Sequence, residues 1–377
     1  MLAISLAAAA SGCQSHDFPT YPANYREYAY ISNSGSNTVT ILDVVNMRQD
    51  RVLAVGRDPS GVAANPLRQE VYVVNTGSGT ISVIDARTNK VAGVIGVNRQ
   101  PYSIDVDVRG RRAYVANSGS NNISVIDLEA RRQIGVISAG ESPGLARITP
   151  DGNALVISNR ASGSVSIADP RSFLVRSSFD RCPGATDIAI LPDSSKALIA
   201  CSGGHQVMVL GLAHGPGREP AAPDRLLTFL DVGKTPVQIA LKPDGGEAFV
   251  SNFDSGTISE IATQSNEAGG ASLVGYHPVR GVVSADNSLL YVSNFSAGMV
   301  SIYSIDDGKL LTPIKIGEGP DALAFSADGR FLFVVNAQSG DVSALLLHSQ
   351  PAPPSLITMF PAGSRPSGIA IAAFQAR

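Results

Sequence analysis

Tyr30-Ile-Ser-Asn33, Tyr72-Val-Val-Asn75, Tyr114-Val-Ala-Asn117 and Val156-Ile-Ser-Asn159 are four versions of one short strand, and their asparagines stand 42 residues apart each time. Cys201 holds the next position, and Asn252, Asn294 and Asn336 follow after one step of 51 and two of 42. A fixed period of this size marks a repeat architecture, in which one supersecondary unit cannot bury its apolar face alone and stacks on its neighbours. The eight positions predict eight units.

Outward from each asparagine the same pattern recurs. Upstream, an apolar strand follows a proline, as in Pro59-Ser-Gly-Val-Ala-Ala64 and Pro320-Asp-Ala-Leu-Ala-Phe325. A turn such as Pro150-Asp-Gly152 or Pro243-Asp-Gly245 separates it from the asparagine strand. Downstream, a Gly/Ser turn leads to a third strand with period-2 alternation, Ile123-Ser-Val-Ile-Asp127, and a fourth, Arg132-Gln-Ile-Gly-Val-Ile137, closes the unit. Four short antiparallel strands make one propeller blade. The continuous apolar run of the first strand predicts burial near the axis, and the alternation of the third predicts one polar, outward face. Asn33, Asn75, Asn117, Asn159, Asn252, Asn294 and Asn336 are read as structural, capping their own turns through backbone two residues on. Gly35, Gly77, Gly119, Gly163 and Gly256 are expected to supply positive φ there.

The first repeat strand has no apolar partner before it, and Pro366 to Phe374 is a first-type strand with nothing after it. Three strands from residues 28 to 55 and one from the C-terminus therefore complete a blade, a clasp that leaves no exposed sheet edge. The fold expected is all-β: a single propeller of four-stranded antiparallel blades over 28–377, eight in number. Seven blades would require one unit to be degenerate, and none is.

The Tyr-Val-x-Asn strand ends, the Pro-Asp-Gly turns, third strands such as Ile81-Ser-Val-Ile-Asp85 and connections such as Gly56-Arg-Asp-Pro59 resemble the YVTN-type β-propeller repeat family, found in bacterial and archaeal surface-layer proteins. The resemblance covers nearly the whole chain after residue 27. It implies a scaffold more than an activity, and the family's customary seven blades differ from the count here. Phe331-Leu-Phe-Val-Val-Asn336 also resembles propellers of the 6-phosphogluconolactonase kind, which implies a lactonase-like hydrolase as the alternative function.

Charged residues are only 16% of the chain and the formal charge is -3, so no basic field for a phosphate backbone exists and nucleic acid is set aside. Met1 to Ala10 is a short apolar stretch, below the 20 or so residues that span a bilayer. Small residues before Cys13, with Gln14 and Ser15 after it, resemble the lipobox of bacterial lipoproteins, although Ala10 stands where that pattern has Leu. The expectation is residues 1–13 as signal peptide and lipobox, acylation at Cys13, residues 14–27 as a tether, and export to the periplasm or outer membrane with the lipid anchor as the sole membrane contact. In such an oxidising compartment Cys182 and Cys201, which meet at one rim, are candidates for a disulfide worth about 3 kcal/mol.

The rim bearing the fourth-to-first connections carries Arg57, Asp58, Arg99, Gln100, Glu141, Lys234, Glu318 and Arg365. Tyr102, Asp187, Gln238, Arg280 and Asp321 start the inner strands near the channel mouth and are the ligand-rim candidates. No histidines share a ligand-like spacing, and neither a Gly-x-Ser-x-Gly elbow nor a Cys-x-x-Cys-His is present, so no catalytic residue, metal ligand or cofactor is assigned. The function expected is a non-enzymatic envelope scaffold that binds a protein, glycan or small ligand. The alternative is hydrolysis at an acidic channel mouth, with a divalent cation as its cofactor. The long step comes from Gly211 to Asp224, read as an irregular loop on the face opposite the rim.

Overall fold

The structure, a computed structural model, describes residues 18–213, 223–348 and 352–376. Cys13 and most of the long loop lie outside them. Eight antiparallel sheets form the ring, here called blades A to H in the order of their repeat residues: Asn33, Asn75, Asn117, Asn159, Cys201, Asn252, Asn294 and Asn336. Blade A is the clasp. Pro366–Gln375 pairs antiparallel with Tyr25–Asn33, followed outward by Thr38–Asp43 and Arg48–Ala54. In blade G the outer strand is split into Lys309–Leu310 and Ile314–Lys315, both paired with Met299–Ser304. Pro313 sits in the gap, where its missing N–H breaks the ladder.

The first strand starts at Tyr25 rather than at 28, and the segment before it is not a free tether where it is described. Phe18 lies against Phe331, Tyr21 donates to Asp328, and the buried Glu27 accepts from Ala327 N at 2.6 Å. Aromatic rings and a carboxylate thus fasten blade A to the first turn of blade H.

The core lies between blades. Tyr72, Val74 and Ile81 of blade B, for example, pack with Ile104, Val115 and Ile126 of blade C. This changes the reading of the third strands. Their serine face is buried too, as at Ser82 and Ser124, because each blade is covered on both sides. The asparagines answer that burial. Asn75 Nδ2 donates to Thr80 at 3.1 Å and Ser82 at 3.0 Å, and Asn33, Asn159 and Asn252 repeat the pattern. Asn117, Asn294 and Asn336 likewise reach the hydroxyl seven residues on, at Ser124, Ser301 and Ser343. They brace the third strand rather than cap their own turns. Positive φ falls on the fourth residue after each asparagine, including Asn37, Gly79 and Asn121. Gly163 and Gly256 hold that position, whereas Gly35, Gly77 and Gly119 do not and serve to admit the neighbouring connection.

Six of the seven asparagine side chains also rest on the glycine of a Gly-x-x-Pro connection, as Asn75 does on Gly56 and Asn252 on Gly233, too close for a Cβ, whereas blade C has Asn98 at that position. Blade E replaces both partners. Cys182 stands where six other blades have that glycine, Cys201 stands for the asparagine, and the two form a disulfide.

Candidate functional site

The innermost strand of every blade is an edge strand facing the channel, and its unpaired backbone groups need partners. Side chains of the adjacent blade supply many of them. Ser60 donates to Tyr102 O and Ser103 to Gly144 O, both at 2.8 Å. Asp187 Oδ2 accepts from Ile239 N at 2.9 Å, and Gln238 Oε1 from Gly281 N at 2.7 Å. Asp187 is buried. Two of the five rim candidates, Asp187 and Gln238, are thus occupied in sewing neighbouring blades together.

The other three remain open to solvent. Arg280 Nε and Asp321 Oδ1 are 3.3 Å apart across blades G and H, with side chains 48% and 26% exposed. On the far side of the mouth, Tyr102 of blade C carries the Arg160 guanidinium over its ring, 5.7 Å from the centroid. Arg160 reaches it by crossing Gly144, where an added Cβ would stand 2.5 Å from the arginine Cδ. The structure therefore brings together Arg280 with Asp321, and Tyr102 with Arg160, in two separate groups.

Deeper in the channel, Arg147 of blade D meets Asp105 of blade C at 3.2 Å, and the second oxygen of Asp105 accepts from Ile148 N. Burial works against the Arg147 charge, but Asp105 and Asp187 outweigh it and hold the guanidinium pKa above its ordinary value. Three of these residues escaped the sequence reading. Asp105 and Arg147 occupy the register of Ala63, Ala240 and Ala324, and Arg160 that of Ser34, Thr76 and Ser118. For Asp105 and Arg147 the available signal was a charge in an otherwise apolar register, and for Arg160 a cation where no other blade carries a charge. Chemically the mouth offers two guanidinium groups, one of them on an aromatic face, and suits a carboxylate- or phosphate-bearing molecule. Among the described residues, no three His, Cys, Asp or Glu side chains gather as metal ligands.

On the opposite face, two open clefts lie between first turns of adjacent blades. One, about 620 Å³, lies between the first turns of blades G and H, with Asp286 and Asp328 in its wall. The other, about 440 Å³, lies between those of blades C and D and is lined by Arg109, Arg111, Arg112 and Arg171 together with Asp107 and Asp151.

No family model matches the chain, and no curated protein is similar to it by sequence. Solved structures are similar in fold. Dihydro-heme d1 dehydrogenase NirN, in complex with DHE, superposes with a TM-score of 0.75 at 16% identity over 94% of this chain and 76% of that one. Hydrazine synthase of Kuenenia stuttgartiensis gives 0.59 at 21% identity over 84% and 92%. A putative 6-phosphogluconolactonase from Bacteroides uniformis gives 0.63 at 13% identity over 92% and 99%. The chain is an eight-bladed β-propeller, and its likeness to these structures, all below 25% identity, is a likeness of fold.

Proposed function

We propose that the channel mouth binds a small acidic molecule between the Tyr102–Arg160 pair and Arg280. The observation that carries this reading is Arg160: an exposed guanidinium over an aromatic face, in a register where no other blade places a charged side chain. The ring then serves as a binding scaffold in the cell envelope, held by an acylated Cys13 and exposed there to protein or glycan partners. The sequence pattern around Cys13 supports the anchor, and the Cys182–Cys201 bond suits an oxidising compartment.

A second reading is favoured by the likeness to putative 6-phosphogluconolactonases. On it the ligand is a sugar-acid lactone, and the mouth assists its hydrolysis. Both readings use the same ligand chemistry, a phosphate or carboxylate on a sugar acid. Calorimetry with 6-phosphogluconate and proton release from its lactone test them together. Binding that weakens about tenfold in Arg160→Ala or Arg280→Ala supports the site. Lactone opening faster than in buffer supports the hydrolase. Neither binding nor acceleration at millimolar ligand overturns both.

A further inference from the structure

We propose that the first-turn face of blades B and C is a docking surface for an anionic phospholipid bilayer. The inference starts from a broken rule of the repeat. In blades D to H the turn between the first and second strands is capped by an aspartate whose Oδ1 accepts the N–H two residues on. These are Asp151, Asp193, Asp244, Asp286 and Asp328. In blades B and C the cap moves two residues earlier. Asn65 accepts from Leu67 N and Arg68 N, and Asp107 from Arg111 N and Arg112 N. The position that the aspartate holds elsewhere is then free of structural duty, and it carries Leu67 in blade B and Arg109 in blade C.

What these turns show outward is apolar and cationic. Leu67 is 69% exposed and Val108, beside Arg109, is 55% exposed. The two turns are joined, because Asn65 Nδ2 donates to Gly110 O at 3.0 Å. Gly110, at φ 61 and with no room for a Cβ beside Asn65, is what permits this approach. Arg68 and Arg131 are paired with Glu129 and Glu70, whereas Arg109 and Arg111 form no ion pair among the described residues. Exposed leucine and valine beside unneutralised arginines match the acyl boundary and the phosphate plane of an anionic leaflet.

The path of the chain favours a bilayer over an acidic protein as the occupant. The described chain begins on this same face, with Phe18 on Phe331 and Tyr21 on Asp328 at the first-turn end of blade H, and the sequence before it holds the apolar stretch Met1 to Ala10. The proposal does not require acylation of Cys13.

The test uses the full chain carrying Cys13→Ala, so that no lipid is attached, in co-sedimentation with vesicles of phosphatidylcholine alone and of a phosphatidylcholine–phosphatidylglycerol mixture. Binding should favour the mixture, and Arg109→Ala and Arg111→Ala should each reduce that preference about fivefold. Leu67→Ser with Val108→Ser should weaken binding to both vesicles. Arg109→Lys with Arg111→Lys should retain the preference, which separates charge from any loss of fold. Arg57→Ala with Arg99→Ala, on the opposite rim, should change nothing. No preference for phosphatidylglycerol, a preference that survives loss of both arginines, or an equal loss in the opposite-rim control overturns the proposal.

Discussion

The cleft between blades C and D and the cleft between blades G and H are made by the same turns of one repeat, yet arginines dominate the first and aspartates the second. The difference comes down to which residue closes the turn. Asp286 accepts from Ser288 N and from the Ser284 hydroxyl, so its charge is committed to local backbone. Asp107 does the same work from two residues earlier, and Arg109 is released to solvent. A repeat can therefore acquire a new surface without loss of its turn, provided that a second side chain takes over the cap.

The largest effect in this comparison should come from Asn65, which is buried and bonded to Leu67 N, Arg68 N, Gly110 O and Tyr72 Oη. Asn65→Ala is expected to destabilise the ring by about 2–3 kcal/mol, because it strands several buried partners at once. Urea unfolding measures it, and a loss no greater than that of a surface substitution would break the idea that the B and C turns are a joined unit. Asp107→Ala and Asp286→Ala should each cost about 1 kcal/mol by the same assay, since each removes a turn cap. Unequal costs would show that the moved cap is not equivalent to the original one.

Acid should separate the two clefts further. The Ser284 hydroxyl, with help from Ser288, holds the Asp286 pKa below its ordinary value. A depressed carboxylate contributes stability that is present above its unfolded pKa, about 3.9, and lost as pH falls through the lower folded value. Asp286→Asn should therefore flatten the acid limb of a stability–pH profile below about pH 4. The smallest effect is expected from Arg109→Asp, which restores the residue type of blades D to H. Stability should stay within about 0.5 kcal/mol, because the turn is already capped.

The ring, its blade count and the clasp were legible because a strict period fixes where strands begin and how many there are. The work of the asparagines was not legible. It depends on Ser82 and its equivalents being buried between blades, which alternation in a single strand cannot show. Asp187 and Gln238 looked like ligand groups for a related reason: the edge they satisfy exists only once two inner strands face each other. Arg147, Asp105 and Arg160 were in plain view as exceptions to a register, and so were Leu67 and Arg109. The cysteines are legible as a pair, but that they replace the glycine and the asparagine of most other blades emerges only from the register of the ring.

The clasp also sets how the ring bears mechanical load. Tyr25 lies opposite Gln375, so both ends of the folded chain leave at one end of a single antiparallel strand pair. Tension between the two termini first parts Phe18 and Tyr21 from blade H and then opens that pair one hydrogen bond at a time. Tension between residue 25 and the distant channel mouth instead shears the first strand against both neighbours, Thr38–Asp43 and Pro366–Gln375, and loads all their bonds together. The same seam is a zipper to one pull and a cable to the other, and it resists best when the chain is held at its beginning and drawn from the rim.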